Sequence, residues 1–283
     1  MRAIDVLNET LYFSKENFND AVTVAGEGFI IQLAMRFILI PIILLIMIPF
    51  IFILIAFDDP SGTTWDLAFI GLYAVSMLLS VSVQSIALSM MIGGQVSTLD
   101  RIKKRRKIKF GDVFKYGWRN KFPLLGVFFF NFLLYFGIIS LPIIMLVATL
   151  LILTEIPLFA MVLIFAGFMV FMLCLIPFQI GIFPLPFIIR NRLGTGVIDS
   201  VLEGWRFYFK HFLDLYLIGL FYMMMMVLIS MIPFINIIAQ IAMYPAVIIS
   251  ELIMVDDVLG VQRFRPRYVK SDRKFKQVSA YDQ

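Results

Sequence analysis

The sequence predicts an all-α polytopic membrane fold with six transmembrane helices, and three observations carry that prediction. Of the 283 residues 61% are hydrophobic, with 30 Phe and 17 Met against one His and one Cys. A soluble domain is typically about 45–50% apolar. The apolar residues also cluster into runs matching the roughly 20 residues that cross a hydrocarbon core. Finally, six crossings place all 24 Lys and Arg on one side, as expected where cations gather in cytoplasmic loops.

Taken in chain order, residues 1–27 are polar and mixed in charge. The first apolar run exceeds the roughly 7–15 residues of a signal-peptide core, so no cleavable signal is expected. The spans fall at about 37–57, 67–94, 122–153, 156–189, 212–232 and 235–255. "DDPSG" closes the first, Thr154-Glu155 separates the third from the fourth, and "IPFIN" separates the fifth from the sixth. Residues 1–261 read as one membrane domain and 262–283 as a basic cytoplasmic tail. Spans three and four each exceed thirty residues, roughly 45–50 Å of helix against a core of about 30 Å, so they are expected to tilt or project.

The charge count orients these elements. Arg2, Lys15 and Arg36 precede span one, ten cations lie from Arg101 to Lys121, and Arg190, Arg192, Arg206 and Lys210 separate spans four and five. Seven more follow span six. The opposite loops hold Asp58, Asp59, Asp66 and Glu155 and no cation. Both termini are therefore expected on the cytoplasmic side of a cell membrane.

A phrase recurs within this frame. Asp112 with Gly117, Trp118 and Arg119 precedes span three; Asp199 with Gly204, Trp205 and Arg206 precedes span five, 87 residues later. Phe110, Phe114, Trp118 and Phe122 recur at helical spacing, as do Val197, Val201, Trp205, Phe209 and Phe212. Each set predicts an amphipathic helix in the cytoplasmic interface, anchored by Trp118 or Trp205. Ile4, Leu7, Leu11, Phe18 and Val22 make a weaker third version without Gly-Trp-Arg. "FQIGIFPLP" in span four and "AQIAMYPAV" in span six share a Gln-to-Pro pattern, and span two carries "VQSIALSMM". The chain thus reads as two or three repeats of one interfacial helix plus two spans, an organisation common in transporters.

The row "GIFPLPFIIRNRLGTGVIDSVLEGWRFYFKHFLDLYLIGL" resembles a loose superfamily of six-span prokaryotic membrane proteins. That group includes the membrane domain of glycerophosphodiester phosphodiesterases and related families of unknown function. The positions carrying the likeness are Pro184, Pro186, Gly194, Trp205, Arg206, Lys210 and Phe212. These 283 residues hold no soluble phosphodiesterase domain, so the resemblance implies a helical membrane domain without that catalysis.

Placed chemistry is sparse. No zinc-protease helix motif, phosphate-binding loop or Cys/His cluster is present. No metal, cofactor or enzymatic role is therefore expected. His211 beside Lys210 reads as an interfacial polar residue, "DDPSG" as a solvated turn, and Cys174 as a small hydrophobe. Arg36 reads as snorkelling to the inner surface. Glu251, five residues before Asp256, either snorkels too or turns inward to pair with Arg36 or a basic loop residue.

Gln84, Gln179 and Gln240 hold comparable places in the even-numbered spans. They read either as interhelical glue, at about 0.6 kcal/mol per bond, or as the lining of a polar path. The run "RIKKRRKIK" holds seven cations in nine residues. Tethered to a membrane, it favours anionic lipid over nucleic acid, at roughly 1 kcal/mol per cation near the surface; the other reading is topology alone. Candidate headgroup contacts are Arg101, Lys103, Lys104, Arg105, Arg106 and Lys107. The leading expectation is a non-enzymatic module that binds membrane lipid or a partner protein, as a subunit of a transport or envelope assembly. The alternative is a small transporter or flippase-like protein whose path runs beside the three Gln.

Overall fold

A computed structural model of the chain describes residues 3–56, 62–152, 158–230 and 235–260. Within them every regular element is a helix. In order these are α1 (Ala3–Glu16), α2 (Phe18–Ala56), α3 (Gly62–Lys103), α4 (Asp112–Arg119), α5 (Lys121–Ile152), α6 (Leu158–Ile182), α7 (Leu185–Leu193), α8 (Val197–Lys210), α9 (Phe212–Ser230) and α10 (Ile235–Val258). The described residues of the six apolar stretches lie on helix, apart from 183–184. Among the described residues, three stretches are long and apolar enough to cross a membrane: Lys121–Ile138, Ala166–Leu193 and Phe212–Ile229.

The helices overrun the apolar runs at the basic end. At 39 and 42 residues, α2 and α3 extend roughly 58 and 63 Å, beyond any hydrocarbon core. A packed core lies there: Val24, Ile31, Met91, Val96, Leu99, Ile188, Leu252 and Val255 are all buried. The stretch expected as a single span over 156–189 is divided, because α6 ends at Ile182 and α7 begins at Leu185. Pro184 has no N–H to continue the ladder, and the ring of Pro186 would crowd the carbonyl four residues back. Its counterpart Pro245 has no second proline beside it and sits inside α10.

Two short amphipathic helices lie on an earlier hairpin, and α1 lies on the last one. α4 packs on α2 and α3; α8 packs on α5 and α7; α1 packs on α9 and α10, at the far end of the chain. Charge helps seat two of them. Glu27 Oε2 accepts the Val113 N–H at 2.9 Å, and Asp214 Oδ1 accepts the Ala3 N–H at 3.1 Å. Both acids thus meet a helix N-terminus, whose unpaired N–H groups and dipole favour negative charge.

Glycine permits the closest approach. A Cβ on Gly117 would come within 2.6 Å of the Met90 carbonyl oxygen, and one on Gly204 within 3.0 Å of Pro186. Gly94, facing α4, would collide with the Val113 carbonyl. Gly117→Ala or Gly94→Ala is therefore expected to destabilise by about 1–3 kcal/mol, the usual cost of overpacking. Gly26, with nothing near a new Cβ, is the control and should tolerate Ala. Thermal unfolding in one detergent compares them, and equal midpoints would refute the close-approach account.

Candidate functional site

The basic end of the bundle holds a buried ion network that joins three helices. Asp100 stands near the end of α3, Arg192 on α7 and Asp256 near the end of α10. Arg192 contacts the Asp100 carboxylate through Nη1. Its Nη2 donates to Asp256 Oδ2 at 2.6 Å. Its Nε lies 2.6 Å from Oδ1, close enough for an ion pair but not aligned as a hydrogen bond. Lys103 Nζ reaches the same Oδ2 at 2.6 Å, and Lys104 Nζ reaches Asp100 Oδ2 at 2.8 Å. Guanidinium suits this position because its planar fork serves two carboxylates at once.

Burial alone would raise the Asp100 carboxyl. The hydrogen bond from Lys104 and the charge of Arg192 outweigh it and hold the group below the ordinary carboxylate value. The network thus pins Lys103 and Lys104, and the chain leaves this fixed base through Arg105, a non-glycine residue in the left-handed region at φ 57°.

Beyond that turn the chain is presented outward. Arg105, Arg106, Lys107 and Lys109 are exposed. Gly111, at φ 96°, caps the start of α4 where a side chain would be strained. Asp112 ties the loop back, accepting the Lys109 N–H at 3.0 Å and lying 3.8 Å from Arg101. α4 then turns Val113 and Gly117 inward and leaves Phe110, Phe114, Trp118 and Phe122 exposed. Phe114 stacks on Trp118 with ring centres 5.9 Å apart, and Lys121 Nζ sits 4.0 Å over the Trp118 ring. A row of exposed aromatics beside a run of exposed cations is the composition of an interfacial helix.

The sequence-derived residues divide accordingly. Arg101, Lys104, Arg105, Arg106 and Lys107 are exposed, while Lys103 is turned inward to Asp256. Trp118 is 51% exposed, but its repeat partner Trp205 is 7% exposed. Trp205 is a core residue: its Nε1 donates to Asn131 Oδ1 at 2.7 Å, and its ring meets the edge of Phe178. Gln84 and Gln179 are exposed, and Gln179 Oε1 accepts from Tyr135 at 3.3 Å, a bond between α5 and α6. The side chains of Gln240 and Arg36 lie outside those described.

Glu251 is fully buried, and among the described residues neither carboxyl oxygen has a hydrogen-bond partner. The nearby Tyr208 hydroxyl is also buried without one. Burial, and then the charge of Glu251, push it well above the usual tyrosine value. His211 is half-buried, and its imidazole is held below the usual value first by burial and then by Lys210. Among the described residues no group of three His, Cys, Asp or Glu is placed to hold a metal.

Sequence reasoning did not find the ion network. A signal existed: Asp100 and Asp256 each follow a repeat glutamine, Gln84 or Gln240, by 16 residues. That matched spacing puts two acids at equivalent heights on two helices. No family model, curated protein or solved structure matches the chain.

Proposed function

We propose that the chain is a six-span, non-enzymatic module of a cell membrane that binds anionic lipid headgroups at its cytoplasmic face. One observation carries the reading: the exposed cations 105–109 run directly into the exposed aromatic row of α4. The aromatics enter the headgroup region and the cations meet phosphate there. The docking of α1, α4 and α8 on successive hairpins supports the accompanying reading of the chain as three related units. Two of them would carry the Gly-Trp-Arg phrase with Gly turned inward.

The test replaces Arg105, Arg106, Lys107 and Lys109 with Gln and leaves the pinned Lys103 and Lys104 intact. Lipid retained after purification from mixed vesicles is measured by mass spectrometry. Retention of anionic over zwitterionic lipid should fall roughly tenfold at low salt. The difference from the parent should shrink at high salt, where exposed charges are screened. Unchanged anionic preference at low salt would reduce the run to a topological role.

A further inference from the structure

An apolar cavity lies apart from the basic loop. A cavity of about 300 Å³ opens between α1 with the start of α2 on one side and α9 with α10 on the other. Among the described residues no carboxylate, ammonium, guanidinium or imidazole lines it. Its walls include Ala25, Met225 and Ala246, and at its mouth Leu11 and Phe18 are 64% and 65% exposed.

Two of the three hydroxyls along the wall, those of Thr10 and Tyr222, are engaged within the protein. Thr10 Oγ1 donates to the Val6 carbonyl at 2.8 Å and shares a hydrogen bond with Ser250 Oγ at 2.9 Å. Tyr222 Oη donates to the Ala246 carbonyl at 3.1 Å and shares one with Ser250 Oγ at 2.8 Å. With Ser14 as the one other hydroxyl among the described lining residues, water finds fewer than the roughly 2–4 partners it needs there. Left empty, the cavity forfeits dispersion contacts along every wall.

We propose that this cavity takes one acyl chain of a membrane lipid, with α1 lying over it as a strap. The inference rests on reading α1 as an interfacial helix, and it concerns a site apart from the basic loop. The lining selects the occupant: an apolar cavity of this volume, open beside exposed Leu11 and Phe18, receives an unbranched hydrocarbon, which needs no polar partner. Charge places the rest of the lipid. With no ionised group inside, the headgroup stays outside, level with α1. Met225 and Met243 on the inner wall let that wall adapt to chain shape, as unbranched thioethers do.

The experiment uses the full chain in vesicles containing a phosphatidylcholine with a photoactivatable diazirine at mid-chain. After illumination, labelled peptides are mapped by mass spectrometry. Label should concentrate on the inner wall, at 221–225 and 243–249. Ala246→Phe, which fills the cavity, and Leu11→Trp, which blocks its mouth at an exposed position, should each lower that label by about tenfold. Circular dichroism and gel filtration verify that both variants fold. The Gln variant of the basic loop should keep the label, which separates failure of this site from failure of the headgroup site. Equal labelling of the exposed α5 face at 129–134 would overturn the proposal. So would undiminished wall label in both variants, or cross-links to a second copy of the chain.

Discussion

Arg192→Ala is expected to lower stability by about 3–5 kcal/mol, the usual cost of removing one partner from a buried ion pair. The substitution leaves Asp100 and Asp256 facing each other, with Lys103 and Lys104 as their remaining cations. Arg206→Ala is the comparison. Its pair with Glu203 is exposed, with side-chain accessibilities of 74% and 45%, and exposed pairs contribute about 0–1 kcal/mol. Arg192→Lys should recover little, because a single ammonium does not reproduce a fork that holds two acids. Denaturant or thermal unfolding in a common detergent measures all three, and an Arg192→Ala midpoint equal to that of Arg206→Ala would dismiss the network as a stabilising element. The same network predicts a pH dependence. The folded Asp100 carboxyl lies below its ordinary value of 3.8. Its contribution is therefore complete at neutral pH, begins to fall near 3.8, and is lost as pH drops through the lower folded value. Arg192→Ala should flatten that acid limb.

Trp205→Ala should cost about 3–5 kcal/mol, as for other large aromatic deletions in a core. Two losses combine. The ring leaves a cavity beside Phe178, and Asn131, which is fully buried, loses the donor to its Oδ1. A buried acceptor left unpaired costs about 1–3 kcal/mol by itself. Trp205→Phe separates the two, since it keeps most of the ring volume and removes only the N–H. Trp118→Ala should move stability by no more than about 0.5 kcal/mol, as expected for an exposed site. Its effect belongs to membrane attachment. Unfolding midpoints read the first pair, and the depth of a label at residue 118 in bilayers reads the last. If both Trp→Ala variants lose equal stability, the contrast between core and surface fails.

This contrast shows where the sequence was legible. Apolar run length located the helices, because a helix in hydrocarbon must satisfy its backbone internally and needs about 20 residues to do so. The Gly-Trp-Arg phrase located α4 and α8, because an amphipathic period is a local property. The fate of each Trp was not legible. It depends on whether a neighbouring hairpin offers a buried acceptor such as Asn131, 74 residues away from Trp205. The ion network hid for the same reason: positions 100, 192 and 256 meet only through tertiary packing. Each looks on its own like an ordinary charge at a helix end. The interruption of span four was readable in hindsight from Pro184 and Pro186, since two prolines on alternate residues stop a helix that one proline bends.

The docking of α1 sets an order of events during synthesis. Its N-terminal N–H is received by Asp214, 211 positions along the chain, and Thr10 meets Ser250, 240 positions along. At translation rates of roughly 5–20 residues per second, α1 waits on the order of ten seconds or more for its seat to emerge. Until then Val6 and Phe13, both buried in the finished bundle, have no wall to rest on and are natural clients for the membrane surface or a chaperone. A ribosome stalled before α10 therefore leaves its product with α1 unclasped.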